Sequence, residues 1–193
     1  PTFLDAAGVT PPAEMTGRTF LGLLTSGEPG PNDSVVFGRE RHSHARFDNL
    51  GYPARAIRTR DRLFIRNYKP DRWPAGDPEN YFDIDDGPSK TFLLENRDKY
   101  PELVALAVGK RPETELYDVS QSMDCMKNLA DDPGHREAGE QLAAQLTAVL
   151  TEQKDPRALG TGDVFDSYPR FGAMRPKLGG FAKQAVYNPN YQK

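Results

Sequence analysis

The side chains best suited to hold an anion or move a proton cluster in one stretch. Arg39-Glu40-Arg41-His42-Ser43-His44 puts two arginines and two of the three histidines within six positions. A guanidinium offers a planar fork of N–H donors that matches the two oxygens of a carboxylate or sulfate. A histidine beside it can bind an oxyanion as imidazolium or give its proton to a leaving group. A second group, Lys69-Pro70-Asp71-Arg72-Trp73-Pro74, sets the only tryptophan between two cations. Its indole face can carry a sugar ring, with Lys69 and Arg72 holding acidic substituents. The candidate binding residues are therefore Arg41, His42, His44, Lys69, Arg72 and Trp73. A plainer role stands beside each: the arginines can pair with acids on a sheet face, and the tryptophan can pin its loop to the body of the protein.

Both groups lie in an electrically distinct part of the chain. Residues 39–73 carry ten Lys or Arg against four acids, a local +6, whereas the whole chain carries 25 Lys or Arg against 28 Asp or Glu, net −3. Such segregation marks either a binding surface or a face neutralised from elsewhere in the chain.

Short elements must position these residues. Ser34 to Gly38 reads as a strand that delivers the Arg39–His44 loop. Ala54 to Thr59 and Leu63 to Tyr68 flank Arg60-Asp61 as a tight antiparallel hairpin. Leu63 and Ile65 fall on one face, Phe64, Arg66 and Tyr68 on the other. Residues 69–87 form a long loop. Ser89 to Val108 is helical in two pieces parted at Pro101, and Glu115 to Val119 is a fourth strand. Arg136 to Thr151 is the clearest helix, with Ala138, Leu142, Ala143, Leu146, Val149 and Leu150 on one stripe and Asp132-Pro133 as its start signal. Toward the beginning, Leu4, Ala6 and Ala7 with Gly8 read as the last turns of a helix, and Thr16 to Leu24 as a short helix. The expected fold is α+β, a small antiparallel sheet of about four strands with the long helix across one face and an extended arm over 154–193.

Composition sets further bounds. Hydrophobic residues are 37% of the chain, and Gly and Pro contribute 17 each, so a lean core and much loop are expected. One cysteine excludes an internal disulfide. No apolar run approaches the ~20 residues of a membrane span. The acidic total and single tryptophan supply neither a continuous basic surface nor stacking platforms for nucleic acid.

Ordered motifs add a resemblance. Pro1-Thr2-Phe3-Leu4-Asp5-Ala6-Ala7-Gly8-Val9 is followed by Met15-Thr16-Gly17-Arg18-Thr19-Phe20-Leu21-Gly22-Leu23-Leu24. Then come Gly38-Arg39-Glu40-Arg41-His42, Ala56-Ile57-Arg58-Thr59, Leu63-Phe64-Ile65-Arg66-Asn67, Glu115-Leu116-Tyr117-Asp118-Val119 and Asn128-Leu129-Ala130. In this order they resemble the C-terminal region of type I, formylglycine-dependent sulfatases, in particular heparan N-sulfatase-like members, over roughly residues 1–153.

The resemblance implies the C-terminal subdomain of an alkaline-phosphatase-like α/β enzyme. Residues 1–31 would be the end of its catalytic domain and a connecting helix, 32–153 the subdomain, and 154–193 a tail. It implies hydrolysis of sulfate esters or sulfamates on a sulfated saccharide, in a periplasmic, secreted or lysosomal setting. It also implies that the Arg41–His42 loop faces the pocket.

The aldehyde-forming Cys/Ser-x-Pro-x-Arg motif of that family is missing: Cys125 is followed by Met126-Lys127, and in Ser167-Tyr168-Pro169-Arg170 the arginine comes one residue early. Asp83-Ile84-Asp85-Asp86-Gly87 alternates carboxylates but lacks the later bidentate Glu of a calcium loop. Formylglycine and Ca²⁺ are therefore expected in an N-terminal catalytic domain, with no cofactor or metal site in this chain and no activity from it alone. Two other readings remain: a non-catalytic module for sulfated or acidic polysaccharide, and part of a phosphatase or phosphodiesterase relative.

Overall fold

The computed structural model describes residues 1–41, 50–76, 78 and 81–168. The chain divides into two compact units, Pro1–Val35 and Val36–Lys193.

The first unit holds α1 (Thr2–Ala6) and α2 (Leu21–Ser26). Gly8, at φ +68°, ends α1: its N–H reaches Asp5 O at 2.9 Å and that of Val9 reaches Leu4 O at 2.8 Å. This is the paired C-terminal closure that a left-handed glycine allows. The helix expected over Thr16–Leu24 is shorter and later. Thr16–Phe20 is irregular because its polar groups bond to α1: Thr19 Oγ1 donates to Asp5 Oδ2 at 2.8 Å and Phe20 N to Thr2 Oγ1 at 3.3 Å. Neither helix buries a residue, and Phe3 is 94% and Leu24 66% exposed.

The strands β1 (Ser34–Arg39, in the second unit from Val36 on), β2 (Ala54–Thr59), β3 (Arg62–Asn67) and β4 (Thr114–Asp118) lie in the sheet order β1-β2-β3-β4. β2 and β3 are the expected hairpin, with Ile57 opposite Phe64 and Ala54 opposite Asn67. Arg62 N donates to Thr59 Oγ1 at 3.1 Å across the two-residue turn. β4 runs antiparallel to β3 with Phe64 opposite Leu116 and Ile65 opposite Glu115.

Asn128 continues the ladder past β4. Its Oδ1 accepts from Leu116 N at 2.8 Å while Leu129 N donates to Leu116 O at 2.8 Å. The Asn-Leu-Ala motif thereby satisfies the edge of the sheet.

One sheet face carries the core. Ile57, Phe64 and Leu116 pack with Leu129 and with Leu142, Leu146 and Leu150 of α5 (numbered after α3 and α4 below), which spans Arg136–Glu152. The three leucines recur every fourth residue, so one helical stripe meets one strand face. Asp132 caps a 3₁₀ turn, Pro133–His135, rather than α5 itself, and α5 starts at Arg136. A smaller cluster holds the long loop: Ala75 and Tyr81 pack with Val108, joined by Trp73, Leu94 and Val104 from the loop, α3 (Pro88–Glu95) and α4 (Pro101–Val108).

Residues 154–168 are not an extended arm. They form tight turns ending in α6 (Val164–Ser167), with Asp155 N on Leu150 O at 2.8 Å. The rest of the expected arm, 169–193, lies outside the described residues. Among the described residues no helix is long and apolar enough to cross a membrane.

Candidate functional site

β1 ends at Arg39, and the chain returns at Leu50 to enter β2. The two sides of this stem touch: Tyr52 N donates to Glu40 O at 2.8 Å. A Cβ on residue 51 would lie 3.0 Å from that same carbonyl oxygen, so glycine is what lets the sides close. Arg41, half-buried, leads into the loop. His42 and His44 fall within 42–49, outside the described residues.

An ionic cluster grips the stem from below. Arg157, with its side chain only 3% exposed, donates Nη2 to Glu40 Oε2 at 2.8 Å and Nε to Glu40 Oε1 at 3.0 Å, and Nη1 reaches Asp163 Oδ1 at 2.9 Å. Arg55 of β2 donates Nη2 to Glu40 Oε1 at 2.9 Å and Nε to Asp155 Oδ2 at 2.8 Å. On the far side of the stem, Arg72 forks onto Asp166 at 2.9 and 3.2 Å and donates to Gly51 O at 2.9 Å. Gly51 N in turn donates to Asp166 Oδ1 at 3.1 Å. Lys69 pairs with Asp163 at 2.9 Å. Four cations thus meet four carboxylates drawn from the residue after β1, from β2, the long loop and the segment after α5.

For Arg157, Arg55, Asp166 and Asp163 the electrostatics favour the charged form. Burial opposes the charge on Arg157, but the bonds and field of Glu40, with Asp166 and Asp163, outweigh it and hold the guanidinium above its ordinary value. Arg55 behaves alike, burial being overcome by Asp155 and Glu40. Burial likewise opposes ionisation of Asp166, yet Arg72, the Gly51 N–H and Arg157 hold its carboxyl below the ordinary value. Hydrogen bonds from Lys69 come first among the causes that lower Asp163. Bidentate pairs with so little solvent are geometrically exacting, and removing one partner leaves a buried charge.

The candidate residues are accordingly divided. Lys69 and Arg72 join the cluster, Lys69 through an acid that is 72% exposed and Arg72 through one that is largely buried. Trp73 packs edge-to-face on Tyr81 at 6.2 Å, with Lys110 Nζ 5.3 Å from its ring centre. Of the strand arginines, Arg55, Arg62 and Arg66 pair with acids, Arg62 with Asp118 and Arg66 with Glu113 at 3.6 Å. Arg58 instead lies 3.5 Å from Met123 Sδ.

Glu40, Asp155, Arg157, Asp163 and Asp166 were not singled out from the sequence. The available signal was charge balance, because a +6 segment needs acids from elsewhere and the run from 155 to 166 carries three with one arginine. Asp86 accepts from Lys90 Nζ at 3.0 Å. Cys125 has its thiol pushed up, by burial above all. Among the described residues no three His, Cys, Asp or Glu side chains converge as metal ligands.

No protein-family model matches the chain. It is 28% identical over 160 residues, 80% of its length, to the ulvan-active sulfatase of Formosa agariphila, and spans 28% of that protein. Among solved structures, a 2-O GAG sulfatase matches 81% of the chain with a TM-score of 0.51 and 21% identity. A protein solved in complex with its substrate D-glucosamine-2-N,6-O-disulfate matches the same share with a TM-score of 0.51 and 19% identity. In both cases the chain covers 24% of the matched chain. The chain is thus similar to sulfatases in sequence and shares the fold of about a quarter of a sulfatase.

Proposed function

We propose that this chain is the C-terminal subdomain of a formylglycine-dependent sulfatase, similar to heparan N-sulfatase-like enzymes, that hydrolyses sulfate esters or sulfamates on a sulfated saccharide. The observation that carries this reading is the 28% identity to a sulfatase over four fifths of the chain. Of the matched proteins, one is ulvan-active, one is a 2-O GAG sulfatase, and one was solved with its substrate D-glucosamine-2-N,6-O-disulfate. Sulfated saccharide is what they share, so the substrate is assigned at that level.

The reactive aldehyde and calcium belong to the remaining three quarters of such an enzyme. The unburied helices of the first unit, with Phe3 and Leu24 bare, supply apolar surface for that part to cover. Within this chain, Arg41, His42 and His44 are assigned to substrate binding, Arg41 following directly on the stem that the ionic cluster fixes. Lys69 can exchange its solvent-exposed partner for a sulfate oxygen. Arg72 acts at the stem, and Trp73 borders the same region. Rigid stems beneath binding loops are how side chains are pre-positioned for an oxyanion.

Assaying sulfate release from a sulfated oligosaccharide tests the assignment. The intact polypeptide should release sulfate and the isolated 193-residue chain should not. Release by the isolated chain, or none by the intact protein, overturns it.

A further inference from the structure

The sheet face away from α5 carries an open hollow of about 300 Å³, at the lower end of small-ligand sites. Its floor comes from cross-strand neighbours: Ala54 opposite Asn67, and Ile65 opposite Glu115. Arg39 and Arg111 also line it.

The polar groups of the hollow are held in place. Asn67 Nδ2 donates to Glu115 Oε1 at 2.7 Å and to Pro112 O at 2.8 Å, and Tyr117 Oη donates to Glu115 Oε2 at 2.5 Å. Arg39 gives Nη2 to Pro74 O at 2.9 Å and lies over the Tyr52 ring at 5.5 Å. Arg111 gives Nη2 to Leu106 O. Among the described residues each guanidinium is thereby anchored through a hydrogen bond from Nη2, and each Glu115 oxygen retains acceptor capacity.

Such a lining has a definite chemical preference. Two anchored guanidiniums suit a carboxylate or sulfate. Glu115 suits a hydroxyl group, as does the Asp83 carboxylate that also lines the hollow, and Ala54 with Ile65 gives a small apolar floor for the C–H face of a ring. We propose that this hollow binds one anionic sugar unit, its acidic group on Arg39 and Arg111 and a hydroxyl on Glu115. The site needs no reactive centre and stands whether or not the sulfatase assignment holds.

Crystals of the intact polypeptide soaked in methyl glucuronoside, an unsulfated ligand, test the placement. Calorimetry with that compound, with glucose 6-sulfate and with methyl glucoside tests the chemistry. Density in the hollow is expected, with binding of at least one of the two anionic sugars and weaker binding of the neutral one. Arg39→Gln and Arg111→Gln should each weaken binding about tenfold or more, the loss of one charge-assisted hydrogen bond, at unchanged melting temperature. Should Arg111→Gln lower the melting temperature, Arg111→Lys, which keeps the charge and loses the planar fork, should still weaken binding. Density only elsewhere, no binding of either anionic sugar, equal binding of the neutral one, or unaltered affinity in the variants overturns the proposal.

Discussion

Arg157 and Glu40 are 117 positions apart in sequence and share a fork of hydrogen bonds of 2.8 to 3.2 Å. That pair ties the segment after the long helix to the base of the loop carrying Arg41, His42 and His44. The fold positions its candidate site from both ends of the subdomain.

Breaking the fork should be costly. Arg157→Ala leaves Glu40 facing Arg55 alone and opens a well-packed site, so the expected loss is about 3–5 kcal/mol, as for a buried pair stripped of one partner. Lys69→Ala, whose acid partner is largely in solvent, should leave stability nearly unchanged. Urea unfolding of the two variants checks the contrast, and equal losses would contradict it.

Acid should loosen the same region first. Asp166 has its folded carboxyl lowered below the ordinary 3.8 by Arg72, Gly51 and Arg157 against its burial. A depressed acid stabilises the fold fully above its unfolded value, and the contribution fades as pH falls toward the folded value. Urea midpoints should therefore hold from pH 7 to about 5 and fall below about 4. Asp166→Asn should flatten part of that fall. A variant whose acid profile matches the parent's would refute the role of Asp166.

Core energetics depend on the helix stripe. Leu146 is 1% exposed between Ile57, Phe64 and Leu116. Leu146→Ala should cost about 2–5 kcal/mol, read by the urea midpoint, whereas Glu152→Ala on the exposed side should change it little.

At the sheet edge, Asn128→Ala strips Leu116 N of its acceptor. The expected loss is about 1–3 kcal/mol, with faster amide exchange at Leu116. An unchanged exchange rate would contradict the edge role of Asn128.

The legible parts of the fold are those with local periods. The hairpin was read because Arg60-Asp61 separates two strands of alternating character, and α5 because its leucines recur at helical spacing. Arg55, Arg62 and Arg66 paired with acids as a sheet face would suggest. The cluster itself was not legible, since Arg55 meets Asp155 across 100 positions and Arg157 meets Glu40 across 117. No window of sequence contains both partners. Thr16–Phe20 misled for a similar reason: Thr19 and Phe20 spend their hydrogen bonds on Asp5 and Thr2 of another helix. Over residues 154–168, charged side chains such as Asp155 and Arg157 hold the turns, and periodicity is blind to them.

Sulfate release by the intact polypeptide and by its His42→Ala variant is the decisive measurement. The parent should liberate inorganic sulfate from a sulfated oligosaccharide, and the variant should be about a hundredfold slower or worse, with the melting temperature of the parent. No sulfate from the parent, or an unaltered rate in the variant, would contradict the assignment of this chain to the substrate side of a sulfatase.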